Sequence, residues 1–103
     1  MNVTKVSDLT YTDLAEYLHL SETNQTDQQT LTTLLGVATS YMKQYTGLSD
    51  LDTHKDFIIC ALILVQDMWD NRALYVDKTN LNKTVESILD LYSVNLLPVE
   101  VST

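Results

Sequence analysis

The side chains that could carry chemistry in this sequence are few and far apart. Asp67 and Asp70 are three residues apart, so a helix would place both carboxylates on one face, where they could act as acid and base. The simpler interpretation, which we favour, is the solvated face of a helix that leaves the core. His19 and His54 each lie near a predicted helix end, which favours a capping or solvated role over metal ligation.

The single cysteine, Cys60, excludes an intramolecular disulfide. It lies in the unbroken apolar run 57–65, where a free thiol behaves as a small hydrophobic side chain. The sequence has no nucleophilic-serine turn, no glycine-rich phosphate loop and no Cys/His spacing typical of a metal site. We therefore expect a protein that is not an enzyme and has no cofactor.

Six Lys and Arg against fourteen Asp and Glu give a net charge of −8. The basic residues are scattered, whereas binding to a phosphate backbone needs clustered cations. Solubility is the simplest reason for the acidity. The alternative is a small acidic regulatory or inhibitory protein, antitoxin-like or DNA-mimicking, although Asp50 and Asp52 form the longest acidic cluster. A helix-turn-helix protein would need a basic recognition helix, and none is present.

The longest apolar run is far shorter than the roughly 20 residues that span a bilayer. The N-terminal residues also lack the apolar segment of a signal peptide. These features predict an intracellular location and no membrane partner.

Long 3.6-residue periods, with only two glycines and one proline, predict an all-α fold, a compact bundle of about four helices. The third helix is predicted to be the long central apolar helix. We expect helices at about 11–18, capped by Thr10; 27–46, capped by Thr26 or Asp27 and ended by Gly47; 54–74, capped by Asp52 or Thr53; and 84–92.

The third predicted helix is apolar on every side, so every side must be covered. The other helices can cover about two sides, and Ile59 and Ile63 fall on a third, which predicts a subunit contact. Gly36 lies inside the second helix, where glycine costs about 1 kcal/mol relative to alanine. A close approach between two helices would explain its presence.

We divide the chain into a helical domain, 1–95, and an extended C-terminal tail, 96–103. Pro98 prevents the last helix from continuing, and the apolar residues around it lack helical spacing. The tail is predicted to be an arm that docks on a partner, and a frayed terminus is the alternative.

Four short motifs give the chain a recognisable pattern: "DLAEYLHL" at 13–20, "YMKQYTG" at 41–47, "WDNRALY" at 69–75 and "SILDLYSV" at 87–94. In order and spacing, from about residue 6 to 97, the chain resembles the head–tail connector proteins of tailed phages and prophages. These are adaptor subunits once described as DNA-packaging proteins. One departure is Ser93, where many relatives carry a basic residue.

The resemblance implies a structural subunit in a ring of about twelve copies beneath the portal, although the isolated chain could be a monomer. Such a ring extends the DNA channel and docks the next head-completion or tail protein, and DNA passes through without specific binding. The implied location is the virion head–tail junction, with assembly in the host bacterial cytoplasm. Arg72 would pair with a carboxylate of its own or a neighbouring chain. The predicted interface residues are Trp69, Asp70, Asn71, Arg72, Leu96, Leu97, Pro98 and Val99.

Overall fold

The computed structural model describes residues 3–93, which form an all-α bundle with no strand among them. Its helices are α1 (Tyr11–Tyr17), α2 (Gln25–Thr46), α3 (Asp56–Asp70) and α4 (Lys83–Tyr92), with 3₁₀ turns at Val6–Asp8 and Leu51–Thr53. The prediction of about four helices is confirmed. The predicted tail at 96–103 lies outside the described residues.

The core is built around α3, which packs against both α2 and α4, while α1 packs against α2. Apolar spacing on each helix directs one face inward, as the sequence predicted. The side chains with almost no exposed surface come from all four helices, and include Leu14, Leu31, Leu34, Met42, Phe57, Leu64, Val65, Val85 and Leu89. α3 is central, as expected, although α2 is the longer helix.

Helix α2 begins at Gln25, earlier than predicted, because its cap is Asn24. The Asn24 Oδ1 atom accepts a hydrogen bond from the Asp27 N–H at 2.8 Å, and the Asp27 carboxylate accepts one from the Asn24 N–H at 3.4 Å. Asp27 therefore serves in the first turn and not as the cap, so the predicted cap at Thr26 or Asp27 is wrong. At the other end, Gly47 adopts a left-handed φ of 77° and stops the helix as predicted.

Helix α3 begins at Asp56 and not at residue 54, and the predicted caps Asp52 and Thr53 lie in the preceding 3₁₀ turn. The Asp52 carboxylate instead accepts hydrogen bonds from the Ser7 N–H at 2.9 Å and the Ser7 hydroxyl at 2.7 Å. This contact joins the two 3₁₀ turns across the sequence. Helix α3 also ends at Asp70, before the predicted 74.

The Ser7 bonds stabilise the ionised form of Asp52 and lower the pKa of its carboxyl. Because the folded pKa is lowered, the contact stabilises the fold above about pH 4 and is lost as the pH falls through the folded pKa. We expect Asp52→Asn to be less stable than the wild type at pH 7, with the difference shrinking as the pH falls below about 4. Denaturant unfolding of both proteins, from pH 7 to below about 4, measures this difference in the free energy of unfolding. A difference independent of pH would contradict the contact.

Gly36 is not at a close approach between helices, so that prediction is wrong. The residue is exposed, and a Cβ atom added there would meet no atom within 4 Å outside its own helix backbone and chain neighbours.

We therefore expect Gly36→Ala to raise the free energy of unfolding by about 1 kcal/mol, because alanine loses less backbone entropy in a helix. The reverse change at an exposed position of the same helix, Ser40→Gly, should lower it. Chemical denaturation of the two variants measures whether the free energy of unfolding rises in the first and falls in the second. A destabilised Gly36→Ala protein would show that the glycine is needed for folding.

Candidate interaction surfaces

The end of α3 brings together Trp69, Asp70, Asn71 and Arg72, the part of the predicted interface that the structure describes. Trp69 is half-buried against the core, and the other three side chains are exposed. The Arg72 guanidinium carbon lies 5.7 Å from the centroid of the Trp69 ring, a cation–π distance. Among residues 3–93 Arg72 forms no ion pair, so the expected pairing within its own chain is not found there.

The backbone of Arg72 is unusual, because its φ of 55° lies in the left-handed region that favours glycine. The Arg72 N–H donates to the Trp69 carbonyl at 3.3 Å, and the Ala73 N–H donates to the Met68 carbonyl at 2.9 Å. This is a Schellman motif, which satisfies the last carbonyls of α3. In this conformation a residue other than glycine is less stable by about 1 kcal/mol.

Helix α1 ends in the same way, with His19 at a φ of 60° and the Leu20 N–H bonded to the Ala15 carbonyl at 2.9 Å. The two helix ends are thus a matched pair with different side chains at the left-handed position. His54, the other histidine, stacks on Tyr92 with ring centroids 3.9 Å apart. The histidines therefore lie at helix ends, as the sequence indicated, and in separate surroundings.

Asp67 and Asp70 lie on the exposed side of α3, as predicted for a solvated face. Partial burial and the neighbouring Asp70 carboxylate raise the pKa of the Asp67 carboxyl above its ordinary value. The Asn71 amide donates to the Asp67 carbonyl at 2.8 Å and so helps to close the helix end. The pair contributes negative charge beside the Trp69–Arg72 segment.

A first exposed apolar region lies on α3 and α4, where Ile59 and Leu91 are uncovered. The Tyr92 hydroxyl donates to the Asp56 carboxylate at 2.9 Å, so the end of α4 lies beside the start of α3. Ile59 is 49% exposed and Leu91 is 72% exposed. The uncovered third side of α3 was predicted from the sequence, whereas the contribution of α4 was not.

A second surface, here called the α2 groove, has a volume of about 570 Å³. Four small or medium side chains of α2 form its floor, at the spacing of one helix face, and two large side chains that follow α3 form its wall. The wall residues Leu74 and Tyr75 are 63% and 68% exposed. The floor residues are Thr33, Gly36, Val37 and Ser40.

Sequence reasoning missed the α2 groove because it extended the third helix through residue 74. The available signal was the Thr33, Gly36, Val37 and Ser40 spacing on the face of α2 opposite its apolar stripe. A helix face of small residues outside the core leaves room for a partner's side chains.

The tyrosines of the "YMKQYTG" motif attach α2 to α4. The Tyr45 hydroxyl donates a short hydrogen bond to the Asp90 carboxylate, which, together with burial, raises the pKa of Tyr45 well above its ordinary value. The Ser93 hydroxyl donates to the Tyr45 carbonyl at 3.1 Å. Tyr41 and Tyr45 pack against the core, and Ser93 makes a local contact with Tyr45.

The acidic cluster that could support DNA mimicry is used within the fold. Asp50 Oδ1 accepts the Asp52 N–H at 2.9 Å, and the Asp52 carboxylate binds Ser7. The two carboxylates therefore organise a turn, which weakens the argument for a DNA-mimicking stripe at this place.

Comparisons with models of protein families, with curated proteins and with solved structures found no match to this chain. Within residues 3–93, no group of three or more His, Cys, Asp or Glu side chains could hold a metal ion. No helix in the same part of the chain is both long enough and apolar enough to cross a membrane. The predicted interface residues Leu96, Leu97, Pro98 and Val99 lie outside the described residues.

Proposed function

We propose that the protein is a structural head–tail connector subunit. Copies of it would form a ring beneath a portal protein, extend the DNA channel and offer a docking surface to the next head-completion or tail protein. The observation that carries the proposal is the exposure of four large apolar side chains, Ile59, Leu74, Tyr75 and Leu91, on a small acidic domain. Leu74 and Tyr75 are neighbours that line one groove beside α2, and an exposed apolar patch marks a surface that contacts other proteins.

The arrangement of the quoted motifs supports the same proposal. "DLAEYLHL" covers most of α1, "YMKQYTG" closes α2, "WDNRALY" covers the end of α3 and the segment after it, and "SILDLYSV" covers most of α4. These positions agree with the helix order that the resemblance implies. We propose that the protein acts at the virion head–tail junction, after assembly in the host cytoplasm. The tail with Leu96, Leu97, Pro98 and Val99 is proposed as an arm on its sequence alone.

DNA would pass through such a ring without being held. A net charge of −8 repels phosphates, and no array of Lys or Arg grips the backbone. The competing proposal, a small acidic regulator that binds DNA, would require salt-dependent affinity for a duplex.

The test is a mass measurement of the purified protein, alone and mixed with the assembled portal protein encoded in the same genome. We expect many copies of the chain to bind one portal ring, and no gel shift of double-stranded DNA even at low salt, where electrostatic binding is strongest. Failure to bind the portal would reject the connector. A salt-dependent gel shift at submicromolar concentration would favour the regulator.

Arg72 gives a sharper test, because its backbone position favours glycine. We expect Arg72→Gly to leave stability unchanged or raise it by up to about 1 kcal/mol, while weakening assembly on the portal. The guanidinium is exposed and has no ion-pair partner among residues 3–93, so it is available to a carboxylate of a neighbouring chain.

His19→Gly is the matched control, since it also places a glycine at the left-handed residue that follows a helix, in this case α1. It should affect stability in the same direction and leave assembly intact. Thermal unfolding and portal co-sedimentation of the two variants measure both properties. If Arg72→Gly assembles as well as His19→Gly, the role proposed for the arginine is wrong.

A further inference from the structure

We infer that a cavity beside the second half of α3 receives an arginine side chain of the portal protein. The inference rests on the proposed function for the identity of the partner, and it deepens that function by naming what the subunit recognises. This cavity, here called the acidic cavity, has a volume of about 360 Å³, which is within the range of ligand pockets. Residues of α3 form one wall, and the connecting segment 73–81, which leads to α4, forms the other.

The buried part of the acidic cavity is hydrocarbon. Leu64 and Met68 of α3 are almost fully buried, and Val76 and Leu81 of the connecting segment pack against the core. Tyr75 adds an exposed aromatic ring to the lining. Such a lining suits an arginine, because its methylene stem packs on apolar groups and its flat guanidinium stacks on aromatic rings.

The polar part of the lining presents hydrogen-bond acceptors. Two exposed carboxylates face the cavity from its two walls, Asp67 on α3 and Asp77 on the connecting segment. The Asn71 amide nitrogen donates to the Asp67 carbonyl at 2.8 Å, and the Asn80 amide nitrogen donates to the Asp77 carboxylate at 3.1 Å. The two amide oxygens accept no hydrogen bond from residues 3–93, so a ligand with several N–H donors matches this lining.

Asp67 is a carboxylate without a cation. It has no hydrogen-bond or ion-pair partner for its carboxylate in the described part of the chain. Partial burial and the Asp70 charge raise the pKa of the Asp67 carboxyl, whereas bonds from Asn80 and Thr79 lower the pKa of Asp77. A cation in the cavity would therefore meet one firmly ionised carboxylate and relieve the repulsion on a second.

The positive charges of this chain do not fill the acidic cavity. None of its six Lys and Arg residues lines it, and none contributes to the pKa of Asp67 or Asp77. Lys78 is next to Asp77 in the sequence but lines the α2 groove instead. The guanidinium of Arg72 lies over the ring of Trp69. The charge of the cavity is thus negative after its neighbours are counted.

The arginine is expected to come from a different protein. Arg72 is the single arginine of this chain and is engaged with Trp69, and two copies that each carry a net charge of −8 repel each other. Under the proposed function the portal protein is the partner that the subunit joins first. An arginine fits better than a lysine, because its rigid fork of N–H groups can bond a carboxylate and an amide oxygen together.

A capped arginine, N-acetyl-arginine N-methylamide, probes the cavity in the full chain, and the citrulline analogue is its uncharged match. In an NMR titration at constant ionic strength, the arginine probe should give saturable shifts at cavity residues such as Met68 and Val76, and the citrulline probe should not. Asp67→Asn should weaken this binding about tenfold, because it removes the charge and keeps the shape of an exposed side chain.

Glu22→Gln is the matched control, since Glu22 is exposed, lies outside the cavity lining and changes the net charge equally. It should bind the arginine probe as the wild type does. Equal binding of the two probes, or equal binding by the two variants, would overturn the site.

Co-sedimentation with the assembled portal protein tests the partner. We expect Asp67→Asn to bind the portal about tenfold more weakly than Glu22→Gln does. If the wild type binds the portal and the two variants bind it equally, the inference is wrong and the connector stands. If the wild type does not bind the portal, the proposed function and the portal as partner both fall, and the titration alone then decides whether the cavity binds arginine.

Discussion

Replacing Phe57 with alanine is expected to lower the free energy of unfolding by about 4 kcal/mol, the largest stability effect that we predict for a single substitution. The ring has no exposed surface and belongs to the first turn of α3, where it is part of the buried core. It also packs edge-on against Tyr92, with centroids 5.3 Å apart, and against His54 at 5.6 Å. Truncation removes both ring contacts and leaves a cavity between α3 and α4.

A domain of this size has a total stability of roughly 5 to 15 kcal/mol, so the Phe57→Ala protein should be close to the folding threshold. Ile59→Ala on the same helix is the control, because Ile59 is half exposed and its truncation should cost about 1 kcal/mol or less. Urea unfolding followed by far-UV circular dichroism compares the two. Equal midpoints for the two variants would show that Phe57 is not central to the core.

The second large effect is on the reactivity of Cys60. We expect the native thiol to react with a disulfide reagent at pH 8 at least about 1,000-fold more slowly than an exposed cysteine. Burial, with a smaller contribution from the Asp56 charge, raises the pKa of the Cys60 thiol to about 12, so very little thiolate exists at that pH. The side chain also has no exposed surface for the reagent to attack.

Stopped-flow labelling with and without denaturant measures this protection, and Ser40→Cys supplies the exposed thiol for comparison in the same native protein. Labelling of Cys60 should become fast in denaturant and should follow the unfolding transition. Native labelling at a rate near that of the exposed thiol would show that the centre of α3 opens readily.

The helices could be predicted because their apolar periods and several terminal signals agree locally. Thr10 lies at the start of α1 with its N–H bonded to the Asp13 carboxylate at 2.9 Å, and Gly47 ends α2, as the sequence indicated. The start of α2 was misplaced because Asn24 and Asp27 are both good capping residues, and only their reciprocal hydrogen bonds decide which is the cap.

The errors at α3 have a different cause. Apolar residues continue past its true end, and Arg72 gives no sign in the sequence that it adopts a left-handed backbone. Asp52 was misassigned because its partner, Ser7, is distant in the sequence, and such contacts are not encoded in a local pattern. The Trp69–Arg72 segment was predicted from its residues, whereas the α2 groove depends on where Leu74 and Tyr75 lie after folding.

The end of α4 is fastened at two successive residues, Tyr92 through Asp56 and Ser93 through the Tyr45 carbonyl. The two bonds therefore hold the C-terminal turn of α4 in place on the bundle. Tyr45 belongs to α2 and Asp56 to α3, so these two bonds tie the last turn of α4 to both of its neighbouring helices.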